Sequence, residues 1–267
     1  MHLHRIVALV LRQFYLLRGS PARILPLFIW AAIDVVLWGF ITRYLNTVAA
    51  SGFNFVPALL GAVLLWDFFG RVMYGVTTAF FEDVWSRNFL NLFATPLSIL
   101  EYVSGLVLTT ITTSFVGLVV MLLLASIGFG LSFFVYGLTF IPFLLVLFLF
   151  GTALGVFGSA VVLRLGPSSE WLIWPIPALL SPFVGVFYPL ATLPRWMQGV
   201  SLLLPPSYVF EALRAILSGG AASGIKLASG GGLAVLYIVG ACWFFTRVYR
   251  RAVRTGLLAR YSAESLS

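Results

Sequence analysis

The chain is poor in nearly everything that soluble catalysis draws on. Only 9% of its 267 residues are charged, against about 25% in ordinary soluble domains. A single cysteine, Cys242, excludes an internal disulfide framework and any multi-cysteine metal site. Its two histidines, His2 and His4, sit together near the N-terminus, so zinc proteases and Ser-His hydrolases lack their parts. The one lysine, Lys226, stands between Ile225 and Leu227, outside any GxxxxGK[ST] pattern, and no phosphate loop can be built around it. The LSGG string at 217–220 is followed by Ala221 and reads as a helix end capped by glycine.

What is present is apolar. Hydrophobic residues make up 61% of the chain, aromatics 16%, and the mean hydropathy is +1.07. The apolar runs continue for about twenty residues, the length of a membrane-crossing helix, and do not alternate over about ten as barrel strands do. The expected fold is an all-α integral membrane protein. Six spans are drawn, at about 24–45, 55–80, 102–127, 136–163, 171–188 and 233–249. An even number puts both termini on one side. Arg5, Arg12, Arg18, Arg23, Arg87, Arg164, Arg247, Arg250, Arg251, Arg254 and Arg260 fall on that side, whereas Arg43, Arg195, Arg214 and Lys226 fall on the other. The positive-inside rule makes the richer face, with both termini, cytoplasmic. The net charge of +8 is then mostly topological, and nucleic acid is not an expected partner because the cations flank spans.

Residues 1–23 read as an amphipathic interfacial segment preceding a transmembrane domain over 24–267. Arg5 and Arg12 share a helical stripe, with Leu3, Val7, Leu11 and Phe14 elsewhere around the turn. Ser20-Pro21 then breaks the helix. No small-residue cleavage site follows, so a removable signal peptide is not expected. The alternative, a frayed start of the first span, stays open.

The connection at about 82–96 is the first place with specific chemistry. Glu82 and Asp83 are expected to open a short helix, Trp85, Phe89, Leu92 and Phe93 to give it an apolar face, and Thr95-Pro96 to end it. Ser98 followed by Glu101 is an N-cap signature for the next helix. Such a helix suits docking into a partner's groove; an interfacial helix touching only lipid headgroups is the other reading. Late in the chain, 187–220 is punctuated by Pro189, Pro194 and Pro205 and too broken for an ordinary span. Irregular backbone at membrane depth needs protein or a cavity over it, which predicts a re-entrant or interfacial hairpin.

Two blocks resemble a known family. FLNLFATPLSILEYVSG is similar to a leucine-rich, TPLS-then-glutamate, glycine-ended element, and FYPLATLPRWMQGVSLLLPPSYVFEALRAILSGG to a Phe-x-Pro, Leu-Pro-x-Trp, Leu-Pro and acidic-x-x-Arg series. Both resemble the membrane subunit of type-2 ATP-binding-cassette exporters, over most of the chain. The resemblance implies that 82–96 is a cytoplasmic coupling helix, docking an ATPase subunit through Trp85, Arg87, Phe89, Leu92, Phe93, Thr95 and Pro96. It implies an extracytoplasmic re-entrant hairpin carrying Pro189, Pro194, Trp196, Pro205, Tyr208, Glu211 and Arg214. It also implies two permease copies, as a homodimer, with two ATPase subunits that bind ATP and magnesium, in a bacterial inner or plasma membrane; no cofactor is expected in this chain. The expected cargo is amphiphilic: a lipid, glycolipid, polysaccharide carrier or hydrophobic drug. A membrane-embedded lipid-modifying enzyme and a secondary transporter are the alternatives; the first needs a convergent set of acids or metal ligands, the second inverted halves with paired broken helices.

Within the spans, Asp34, Asp67 and Arg71 demand an explanation. Asp67 and Arg71 are four apart on one helical face, and Asp34 is expected at similar depth in the neighbouring span. They read either as a structural group that fixes the first two spans or as part of a transport path. Gly151, Gly155 and Gly158, with Ser159, make a small-residue face for close helix packing.

Overall fold

The computed structural model describes residues 2–19, 21–49, 54–86, 92 and 95–255, and the regular structure among them is entirely helical. Helix α1 (Leu3–Arg18) is followed at once by α2 (Pro21–Val48), which opens on Pro21. A proline at the first helical position lacks only an N–H that would have had no partner there. A π turn (Val56–Leu60) leads into α3 (Gly61–Trp85), and α4 covers Ile99–Phe129. A 3-10 turn (Phe133–Thr139), kinked at Gly137, precedes α5 (Phe140–Leu165). Next come a second 3-10 turn (Pro167–Leu172), short α6 (Ile176–Val184), α7 (Arg195–Ser201), α8 (Pro205–Leu217) and α9 (Gly224–Arg254).

Among the described residues five helical stretches are long and apolar enough to cross a membrane: Phe28–Val48, Val56–Val84, Ile99–Phe129, Phe133–Leu165 and Gly224–Arg254. Counting α7 and α8 together, a pair bent by 103°, makes six. One expected element differs. The stretch 171–188 is not a single helix but part of a 3-10 turn followed by nine-residue α6. Its prolines explain this: Pro175 and Pro177 lie at the start of α6 and Pro182 lies inside it, each removing an i→i−4 hydrogen bond that a continuous span would use.

Helix α3 is the axis of the bundle, with 67% of its apolar window buried against 22% for α2 and α9. The others pack round it. Between helices in lipid, close van der Waals fit takes the place of the hydrophobic effect, and the small-residue face of α5 supplies that fit. A Cβ at Gly151 would lie 2.9 Å from the Phe69 carbonyl oxygen, and one at Gly155 2.7 Å from that of Met73. Gly158 instead faces Ile173. One core cluster joins Phe69 and Val72 of α3 to Phe143 and Phe150 of α5 and Phe210 and Leu213 of α8. A second joins Met73 and Phe80 of α3 to Leu9, Tyr102 and Phe245. The bundle therefore has two distinct ends, one carrying α1 and the other carrying α6, α7 and α8.

Candidate functional site

Three constellations of polar side chains stand out in this apolar chain. The first joins α1 to both flanks of the 86–98 connection. Asp83, fully buried, accepts a hydrogen bond from the Tyr102 hydroxyl at 2.8 Å on one oxygen and an ion pair from Arg12 on the other. Burial by itself disfavours the Arg12 charge, but the hydrogen bond and charge of Asp83 outweigh it and leave the guanidinium pKa above its ordinary value. Glu82 and Asp83, expected to start a separate helix, instead occupy the last turn of α3, which runs on to Trp85. A carboxylate there opposes the helix dipole, and Arg12 and Tyr102 supply the compensation.

Glu101 works in the same way on the other flank. The expected capping box is formed: the Ser98 hydroxyl accepts from the Glu101 N–H at 3.2 Å, and the Ser98 N–H donates to the Glu101 carboxylate at 3.0 Å. That carboxylate also accepts the backbone N–H of His2 at 2.6 Å and pairs with Arg5 at 3.4 Å. Arg5 donates further to the Pro96 carbonyl. Between the two ion pairs Leu9 packs where Gly105 leaves room; a Cβ at Gly105 would stand 2.9 Å from the Leu9 Cβ. Helix α1 thus turns Arg5 and Arg12 toward the protein and leaves Leu3, Val7, Leu11 and Phe14 exposed, an apolar face suited to an interfacial helix. Buried Arg12 Nη1 and Gln13 Nε2 have no hydrogen-bond partner among the described residues.

Of the residues expected to dock a partner, Leu92 is half-buried against the second core cluster, and Thr95, which donates to its carbonyl at 2.5 Å, is exposed with Pro96. Arg87, Phe89, Phe93 and the Trp85 side chain lie outside the described residues.

The second constellation is at mid-bundle. Arg71 Nε donates to Asp67 at 2.6 Å and approaches the Met121 sulfur at 3.2 Å. Its stem runs over Gly117 of α4. Asp34 of α2 lies within electrostatic range of both members of the pair.

The third organises the end opposite α1. Gly185 ends α6 with a positive φ of 70°, a conformation that costs glycine nothing, and reverses the chain. Arg214 donates to the Gly185 carbonyl at 2.7 Å and pairs with Glu211 at 2.8 Å, while the Leu190 N–H donates to Glu211 at 3.0 Å. Ser201 donates to the Phe183 carbonyl at 2.5 Å, Tyr208 to that of Leu202 at 2.9 Å, and Trp196 meets Phe183 edge-on. Pro189 and Pro194 bracket a 3-10 turn, and Pro205 begins α8. Phe187 stacks on Trp38 of α2 at 5.0 Å, so the turn is covered by a spanning helix.

A family model described as ABC-2 type transporter matches residues 5–218. The chain belongs to the ABC-2 type transporter family. The match runs from α1 to the end of α8 and takes in every charged side chain named in the three constellations. This ABC-2 protein is therefore a multi-pass membrane permease component of an ATP-binding-cassette transporter, a transport element that implies an ATP-binding partner subunit. No curated protein matches it.

Proposed function

We propose that this chain is the permease of an ATP-driven exporter, two copies of which work with two ATP-binding subunits that hold the nucleotide and magnesium. The observation that carries the reading is the pair of clamps, Arg12 on Asp83 and Arg5 on Glu101, at either end of the 86–98 connection. A coupling helix within 82–96 seated in the ATPase would need stiff attachment to the spans. These clamps supply it, because a displacement of the connection is passed to α1, α3 and α4 together. The α1 end is cytoplasmic in this proposal, with both termini there, and the α6–α8 hairpin is re-entrant from the extracytoplasmic face. The 103° bend and the internal Glu211–Arg214–Gly185 network support the hairpin, since they satisfy its irregular backbone where no water is available.

The permease itself performs no bond chemistry; it alternates access as the ATPases open and close. The cargo proposed is an amphiphile, in keeping with the exposed aromatic and aliphatic surfaces of the spanning helices. Asp34, Asp67 and Arg71 are assigned to fixing α2, α3 and α4 together. The test is transport of a fluorescent phospholipid analogue in proteoliposomes containing the permease and its ATPase. Wild type should move it only with hydrolysable ATP, and Leu92→Glu should keep ATP hydrolysis while losing most of the movement. ATP-independent movement unaffected by Leu92→Glu would refute the proposal.

A further inference from the structure

At the α1 end of the bundle, Arg164 at the end of α5 and Arg247, Arg250, Arg251 and Arg254 of α9 line one recess of about 1040 Å³. None of these five arginines makes an ion pair with any described residue; the one specific contact is Arg247 over the Trp243 ring at 5.5 Å. The positive-inside rule accounts for cations on this side of the membrane. It does not account for five of them converging on one concavity with no acid among the described residues to neutralise them.

A second feature adjoins it. An apolar groove of about 560 Å³ runs between α5 and α9, walled by Leu154, Phe157, Leu236 and Tyr237. Trp243 and Phe244 line both the groove and the recess, so the two are continuous. From Leu233 to Phe244 the groove follows α9 for about 16 Å at 1.5 Å per residue. Gly240 leaves it open, since a Cβ there would meet nothing within 4 Å.

A cationic recess at the end of a lipid-exposed apolar groove matches one ligand in both parts. We propose that this is a binding site for an anionic glycerophospholipid of the surrounding leaflet, its phosphodiester held by the arginines and one acyl chain lying in the α5–α9 groove. Guanidinium groups bind phosphate oxygens in bidentate fashion, and basic pockets between spanning helices take anionic headgroups. Free phosphate would use the recess alone. Leu100, just past the 86–98 connection, forms part of the recess wall, and the occupant seals α9 to α5 and holds the α9 end at the headgroup level. The inference rests on the chain crossing a membrane, not on the direction of transport.

Native mass spectrometry of the full-length protein, released from detergent with defined lipids, tests it. Three probes separate the sources: dioleoyl phosphatidylglycerol, dioleoyl phosphatidylcholine and inorganic phosphate. Wild type should retain phosphatidylglycerol at least tenfold better than phosphatidylcholine. Arg247→Gln with Arg250→Gln should abolish that preference, and Lys226→Gln, on the same helix at the far end, should leave it intact. Gly240→Leu should weaken retention of both diacyl lipids severalfold without changing phosphate binding. Circular dichroism and gel filtration establish that each variant is folded. Equal retention of the two lipids by wild type overturns the proposal. So does displacement of phosphatidylglycerol by millimolar phosphate, which marks an anion site only. Loss of a co-purifying ATPase from the arginine variant with lipid preference unchanged also overturns it, by assigning the recess to a protein surface.

Discussion

Replacing Arg12 by Met keeps the length of the side chain and removes the charge that Asp83 faces. Asp83 has no exposed surface, whereas the Arg12 side chain is 26% exposed. Breaking a fully buried pair costs about 3–5 kcal/mol because one charge is left uncompensated. Here the Tyr102 hydroxyl still donates to Asp83, and the exposed fraction of Arg12 was solvated to begin with, so about 2–3 kcal/mol is expected. For a chain of this length that corresponds to a fall in melting temperature of about 4–12 °C. The decisive comparison is Arg12→Met combined with Asp83→Asn, which removes both charges and leaves the Tyr102 hydrogen bond possible. Thermal unfolding in mild detergent should show most of the lost stability restored in the double variant. Transport should remain impaired in both, because the mechanical tie between α1 and α3 is absent in each. Equal instability of the single and double variants would show that the pair is not the source of the effect, and full transport by both would detach α1 from coupling.

The other expectations are more local. Arg71→Leu should lower stability in detergent by about 2–4 kcal/mol by stranding Asp67, and adding Asp67→Asn should recover much of it in the same melting assay. Gly155→Ala should cost about 1–3 kcal/mol, since the new methyl would stand 2.7 Å from a backbone oxygen of α3 that cannot move aside alone; an unchanged melting temperature would mean that the two helices part freely. In a Cys242→Ser background, Gln198→Cys should react with a membrane-impermeant thiol reagent in intact cells and Arg254→Cys should not; the reverse pattern would invert the proposed topology.

Features set by nearby residues were legible in the sequence. The Ser98–Glu101 box, the start of a new helix at Pro21, the glycine face of α5 and the Asp67–Arg71 pair all depend on spacings of one to a few turns, and each is present. The clamps were not legible, because Arg12 and Asp83 are 71 residues apart and Arg5 and Glu101 are 96 apart, distances over which no pattern rule acts. The sequence places Arg5 and Arg12 on one stripe of an amphipathic helix; the packing of Ile6, Leu9 and Gln13 against the bundle turns that stripe inward. The acids at 82 and 83 were misplaced for a related reason. Their preference for helix starts is worth less than 1 kcal/mol or so, and the pairing of buried Asp83 with Arg12 and Tyr102 overrides it. Hydropathy likewise drew 171–188 as one span because it weighs apolar character and is indifferent to three prolines.

The central claim is that an ATP-binding subunit drives this permease through the 82–96 segment. The most direct measurement is site-specific photo-cross-linking from position 95, where the side chain is exposed, in the purified transporter complex. The account predicts a covalent adduct between the permease and the ATP-binding subunit, formed from position 95 and absent from a control position, 198, at the other end of the bundle. An intact, transport-competent complex that gives no such adduct from 95 and yields one from 198 would contradict it.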